Sequence, residues 1–486
     1  MRRIVFLLIT LFPLVAIAQN QIFEQYKQQQ QAKYQKYKSD KQKEYDAYRQ
    51  KINADYAAYM KKHWAEYKSY AAKHKPKDQD SPAPTVKKND EPKGTDEIRY
   101  KLVIKLVPYE VPDPVAPIDV PPAEDKPQFK FMFYGTQCAV HLNDALKYSL
   151  PDASEQAAAD MWQHLSDPLY DGVIADCLRL RNELQLADWG YINLLQTMTN
   201  SFLGANSNEA VLMQMYILTQ SGYSTRIARK NNRFVLLVPF DATLYDYSYF
   251  YIDGKHYYII DKEEGSYTYN IFNKAFPEEQ VPSLRMTESP KLAYAAAPSR
   301  TLSSRRWPSL RASVTENKNL ISFYDEYPLS TSWDYYSAAS LSNETKQSLY
   351  PVLRREISGK SKYDAANMLI NFVQTAFDYK TDGDQFGYER PLFGDETIYY
   401  PYSDCEDRSI LYSILVRELL DLDVVLLLYP CHLATAVAFP NNKSYGYHFT
   451  YNDKVYTICD PTYINADAGD CMPKFRTTSP EVIQIQ

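Results

Sequence analysis

In the stretch YPYSDCEDRS, residues 401–410, Cys405 is flanked by Asp404, Glu406 and Asp407. A thiol attacks as a thiolate, and three adjacent carboxylates oppose that charge and raise the thiol pKa. A nucleophilic role therefore needs a source of positive potential. Ser403 and Glu406 fit the S-x-x-E capping box ahead of the apolar spacing Leu411, Ile414, Leu415 and Leu419, which predicts a helix with Cys405 in its first turn. There the unpaired N–H groups and the positive end of the helix dipole favour a thiolate, while acids at a helix start turn aside into caps. The dipole contributes only about 0.3–1 kcal/mol at an exposed site, less than one pKa unit. A neighbouring imidazolium lowers a pKa by about 1–3 units. His432, one of seven histidines, opens the strand-like run HLATAVAF, and Asp460 ends the run KVYTICD ahead of PTY. A thiolate, a base and a carboxylate that orients the base make a nucleophilic constellation. The competing structural reading keeps Cys405 as a buried core thiol and His432 as a satisfied sheet residue.

The elements that would position these residues occur twice. The segment beginning at Asn206, NSNEAVLMQMYILTQSGYSTRIARKNNRFVLLVPF, aligns without a gap with the one beginning at Cys405, CEDRSILYSILVRELLDLDVVLLLYPCHLATAVAF. The same offset holds through IDGKHYYIID, ending at Asp261, and YNDKVYTICD, ending at Asp460. Each copy predicts an amphipathic helix, β-rich runs and a hairpin closed by Asp-Gly or Asn-Asp. At this offset Cys405 becomes Asn206, His432 becomes Arg233, and only the aspartate is kept, as Asp261. An amide and a guanidinium cannot serve as nucleophile and proton acceptor. The first copy is expected to be catalytically dead, a docking surface or lid for the second.

The sequence DCEDRS, then His432 opening a strand, then DPTY closing one, resembles the transglutaminase-like superfamily, whose fold is related to that of papain. The resemblance, to an exported bacterial-type member, spans Tyr350 to Pro473 and includes FGYERPLFGDETIYYPYSDCEDRS. It implies an α+β domain with a cysteine helix packed on an antiparallel sheet, preceded here by a degenerate copy and a long N-terminal helix. By position it implies Cys405 as nucleophile, His432 as general base and acid, and Asp460 as the orienting carboxylate. Such members carry out acyl-enzyme chemistry on proteins and peptides. This chain departs from the commoner pattern at Ala434, where many members have an aromatic, and in the long gap that separates His432 from Asp460.

The rest of the chain sets the context. Arg2 and Arg3 precede an apolar run from Ile4 to Ala18 that ends in Ala16-Ile17-Ala18, which reads as a signal peptide over 1–18 and a secreted, periplasmic or cell-surface location. Aromatic pairs at Phe23/Tyr26, Tyr34/Tyr37, Tyr45/Tyr48, Tyr56/Tyr59 and Tyr67/Tyr70 alternate spacings of three and eight. Their sum, eleven, is the period of a right-handed helical supercoil. Residues 19–75 contain neither Gly nor Pro and are expected to form one long helix that self-associates through its tyrosines, or else a solvated stalk. This arm carries 13 Lys or Arg against 6 Asp or Glu, whereas residues 76–486 carry 39 against 54. The basic arm also suits an anionic polymer or membrane face. Residues 76–128 read as a Pro- and charge-rich linker with a strand at 98–107, followed by the degenerate copy over 129–290 and the second copy over 291–486.

The acidic body argues against a nucleic-acid partner, no cluster has metal-ligand spacing, and no Gly-rich phosphate loop occurs, so no cofactor and no metal is expected. Cys431 and Cys459 flank His432 and Asp460 and could bridge on the opposite sheet face, with Cys471 as a rival partner. Two functional classes remain: an exported cysteine amidase, peptidase or acyltransferase, and a non-catalytic stalk displaying two such modules to a binding partner.

Overall fold

The computed structural model describes the chain apart from residues 1, 63, 78–83, 89–90, 92–93, 95, 107, 117–125, 263–264 and 486, and the side chains of residues 2–26. The side chains of the expected signal peptide and of the first tyrosine-repeat pair thus lie outside the described residues. The fold is α+β. No helix among the described residues is long and apolar enough to cross a membrane.

The N-terminal helix spans Arg2–Met60 and so stops well short of the expected end at Lys75. No Gly or Pro stops it; packing does. Trp64 is buried, donates its indole N–H to the Met60 carbonyl at 2.9 Å, and packs against Phe234 and Phe272. The next residues, Ala65–Lys68, then add an edge strand to Thr268–Phe272. Tyr67 and Tyr70 of the aromatic repeat therefore belong to sheet pairing, and Tyr70 stacks on Tyr249. Of the remaining repeat, Tyr56 is buried against Trp162, Phe272 and Phe276, while Tyr34, Tyr37, Tyr45, Tyr48 and Tyr59 are exposed. Propensity made a helix of most of the arm; burial of Trp64 and Tyr56 decided where it ends.

Two six-stranded sheets organise the body. The first runs, edge to edge, 65–68, 268–272, 226–230, 233–239, 255–259, 249–252, and the second 103–104, 481–484, 424–429, 432–438, 454–459, 448–451. The order is the same in both. So is the register: Arg226 faces Leu237, and their counterparts at the sequence offset, Val425 and Ala436, face each other; Val238 faces Tyr258, and Val437 faces Thr457; Phe250 faces Tyr257, and Phe449 faces Tyr456. A one-residue slip would exchange the buried and exposed faces of a strand, so matched register at three successive pairings gives the two sheets the same inward-facing positions.

The stretch 76–128 does more than link. In its described residues the backbone N–H of Lys87 donates to Ile464 O, that of Ile98 to His448 O and that of Lys101 to Pro480 O, and Val103–Ile104 pairs in parallel with Val482 and Ile483. Among the described residues of the expected 98–107 strand, only these two form a strand. The segment then returns to the first sheet's helices, where Tyr109 bonds Asp188 and the Val115 N–H donates to Gln220 O. It is a strap tied by main-chain bonds to both halves.

Candidate active site

The helix that carries the cysteine runs Cys405–Leu420 and packs between helix Lys362–Ala376 and the strands Val424–Tyr429 and His432–Ala438. Covered on both sides, it is apolar almost all round: Ile410, Leu411, Tyr412, Ile414, Leu415 and Val416 are all buried, the pattern of a core helix. Its N-cap is Asp404, one position later than the expected Ser403, and the reciprocal acid is Asp407, whose carboxylate accepts the Asp404 N–H at 3.3 Å. Both S-x-x-E and D-x-x-D are present in SDCED; the second supplies the bond from the Asp404 N–H to Asp407, while Ser403 accepts from Arg408 Nε at 3.1 Å. Cys405 is consequently the first helical residue. A short parallel pairing of Asp378–Tyr379 with Tyr402–Ser403 anchors the approach to this turn.

His432 opens the strand that lies against the cysteine helix. The turn before it consists of Pro430 and Cys431 alone, because Tyr429 pairs directly with His432. Cys431 takes the left-handed conformation with φ 57° and is exposed. It therefore does not reach Cys459, and no disulfide joins any of the cysteines. Cys459 and Cys471 are separately buried, each directing its thiol at a nearby carbonyl.

The three sequence-predicted residues come together. His432 Nε2 lies 2.9 Å from Asp460 Oδ2. Asp460 Oδ1 accepts from the N–H groups of Thr462 and Tyr463 at 2.9 and 3.2 Å, so the turn through Pro461 fixes the carboxylate. His432 Nδ1 has no regular hydrogen-bond partner and is the nitrogen left for the thiol. The Leu433 N–H points at the Cys405 sulfur at 3.5 Å, and Glu406 Oε2 lies 3.1 Å from it. All three residues are 2–3 % exposed.

The electrostatics answer the objection raised by the acids. Burial opposes the Cys405 thiolate, but the hydrogen bond and charge of His432, the Leu433 N–H and the bond to Glu406 together outweigh it and hold the thiol below its usual range. Burial likewise disfavours the imidazolium, yet the Asp460 carboxylate and the Cys405 sulfur raise the His432 pKa to about 10. The two shifts are one coupling seen from its two ends. Among the acids, burial pushes Glu406 and Asp407 well above the carboxylate range and Asp382 to about 11.

Several residues shape this site without a sequence signal. Phe475 lies flat on the His432 ring, 4.9 Å between centroids and 6° between planes, and stacks on Tyr429 at 4.6 Å. Gln374 Nε2 donates to the carbonyls of Asp460, Tyr463 and Ala466 and so holds the turn that carries the aspartate. Their spacing from Asp460 follows no motif, and only the folded chain brings them there. Oxygen atoms of Asp382, Glu389 and Glu406 converge to within 4.8 Å of one another, as do those of Asp382, Asp404 and Asp407. Ionised, such hard oxygen donors could hold a cation of the Ca²⁺ or Mg²⁺ type. Without such a charge beside them, burial favours the acid forms of Glu406, Asp407 and Asp382.

A pocket of about 490 Å³ opens over Cys405, Glu406 and His432. Its walls include Trp333, Glu389 and Leu428 from the second half, Lys101 and Pro76 from the strap, and Tyr245 from the first half.

The equivalent place in the first half corrects the gapless alignment. The N–H of Phe234, the counterpart of Leu433, donates to Asn208 Oδ1 at 2.8 Å. Asn208 is the first residue of helix Asn208–Gln220, so it takes the position of the sulfur, whereas Asn206 lies exposed ahead of the cap. The alignment slips by two positions because this helix is nearly a turn shorter than Cys405–Leu420, and the connection to the next strand makes up only part of the difference. Arg233 and Asp261 do occupy the places of His432 and Asp460, 3.6 Å apart. No family model, curated protein or solved structure matches the chain.

Proposed function

We propose that the protein is an exported, cysteine-dependent amide-bond hydrolase or acyltransferase, peptidase-like and transglutaminase-like in its chemistry, acting through Cys405, His432 and Asp460. The observation that carries this reading is the buried series of thiol, imidazole and carboxylate at the start of a helix, beneath an open pocket. The Cys405 sulfur attacks the carbonyl carbon of a carboxamide or peptide. Collapse of the tetrahedral adduct breaks the C–N bond, and His432 Nδ1 gives its proton to the departing amine, leaving a thioester. Water, or an acceptor amine, then attacks the thioester while His432 takes its proton, and the thiolate departs. The Cys405 N–H, at the first position of the helix, is one donor for the oxyanion.

The first half supports a binding role within the same protein. It repeats the sheet but replaces the sulfur and imidazole with Asn208 and Arg233, and Tyr245 from this half walls the pocket. The exposed tyrosines between Tyr34 and Tyr48 are the surface on which the arm would self-associate.

The test is hydrolysis of a pool of peptides and carboxamides by residues 19–486, followed by mass spectrometry across pH. Amide cleavage should vanish in Cys405→Ser. Its pH profile should rise through the lowered thiol pKa and fall through about 10 as the imidazolium deprotonates. Cleavage that survives in Cys405→Ser would contradict the reading.

A further inference from the structure

We propose that Glu406 is a neutral carboxylic acid that donates a hydrogen bond to the Cys405 thiolate, a positioning role that rests on the thiol chemistry proposed above. Glu406 Oε2 lies 3.1 Å from the sulfur. An ionised carboxylate there would be acceptor-only and would place a like charge against the thiolate, whereas the acid form has one O–H to give.

The surroundings select the acid. Glu406 is buried, and its other oxygen, Oε1, has no hydrogen-bond partner; an ionised carboxylate with an unbonded buried oxygen is the costliest state the group could adopt. Glu389 and Asp382 crowd it from the segment before the helix, and Asp404 from its own turn. Among the nearby cations, the Arg408 guanidinium donates to Ser403 Oγ and to the carbonyls of Gln374 and Phe377, His432 is bonded to Asp460, and Lys77 and Lys101 stand on the same pocket wall as Glu406. Burial, then the charges of Asp404, Cys405, Glu389 and Asp382, push the Glu406 carboxyl well up, in line with the geometry.

The proton count is simple. The Cys405 proton passes to His432 Nδ1, and Glu406 keeps its own, directed at the sulfur. The thiolate then has three supports: the imidazolium, the Leu433 N–H and the Glu406 O–H. Once the sulfur is acylated it becomes a poor acceptor and the Glu406 bond weakens. The bond re-forms as the thioester breaks, so Glu406 favours thiolate as the leaving group of the second step.

The experiment reads the thiol and needs no substrate. Thiolate ultraviolet absorbance is titrated in the full mature chain and in Glu406→Gln and Glu406→Ala, each corrected by its own Cys405→Ser control. Gln keeps a donor and has no charge to lose, so the thiol pKa should stay within about half a unit of wild type. Ala removes the donor and should raise it by about one unit, a tenfold loss of thiolate on the acid side. A fall in either variant would mean that Glu406 is ionised and overturns the proposal, as would an unchanged value in Ala. A wild-type thiol titrating at 9 or above would instead sink the thiolate reading itself. Infrared difference spectra at neutral pH give a second readout: wild type minus Glu406→Gln should show a protonated carboxyl band, and a carboxylate band there would also overturn the proposal.

Discussion

Alkylation of Cys405 by iodoacetamide at neutral pH should slow by about 10- to 1,000-fold in His432→Ala, because a single adjacent opposite charge is worth about 1–3 pKa units. The sign follows from the balance at the sulfur. Burial raises the thiol pKa, and the His432 hydrogen bond and charge are the largest of the effects that reverse it. Without the ring, burial prevails and the thiol should titrate above its ordinary range. Cys431, exposed on the turn beside His432, serves as a reference within the same molecule, since site-resolved mass spectrometry separates the two rates. Equal Cys405 rates in wild type and His432→Ala would show that the ring does not act on the sulfur. The same coupling bears on stability. The folded His432 pKa lies above the unfolded value, so its stabilising contribution is complete below the unfolded pKa of about 6.5 and is lost as pH rises through about 10.

The second large effect is structural. Arg408→Met should destabilise the protein by about 3–5 kcal/mol, the cost of removing one partner from a buried charged network. Arg408 is 1 % exposed, and its guanidinium bonds Ser403 Oγ at 3.1 Å, Gln374 O at 3.3 Å and Phe377 O at 3.0 Å. Methionine fills much of the volume but leaves two buried carbonyls without these donors. It also removes a positive charge that faces the N-cap residue Asp404. Lysine should recover little, since a single ammonium cannot reproduce the planar fork. Denaturant midpoints at neutral pH check this, and a wild-type midpoint for Arg408→Met would show that the network carries no stability.

Much of the site was legible because it depends on short-range pattern. A cysteine at the head of an apolar helix, a histidine at the head of a strand and an aspartate at the end of a hairpin are each local features, and chain order supplied the rest. The unbroken offset between the two copies likewise foreshadowed two sheets with one register. Cap choice was less legible, since SDCED satisfies two overlapping capping patterns. The counterpart of the cysteine was misplaced at Asn206 because a helix shorter by nearly a turn leaves no trace in a gapless alignment. Phe475, Gln374 and the strap were invisible for another reason: most of their contacts are with parts of the chain remote in sequence. The early end of the arm helix was hidden in the same way, set by where Trp64 is buried. The Cys431–Cys459 bridge failed because two residues suffice to turn the hairpin, which puts Cys431 in the turn itself, off the sheet.

For the proposed chemistry, His432 and Asp460 must hold Cys405 as a thiolate in spite of burial and the surrounding acids. The most direct test is the thiolate absorbance of residues 19–486 across pH, taken as wild type minus Cys405→Ser. A Cys405 thiolate is expected to be present already at neutral pH, lost on acidification below the ordinary cysteine range and also diminished in Asp460→Asn. A thiol that ionises only at or above pH 9, with no response to Asp460→Asn, would contradict the proposed chemistry.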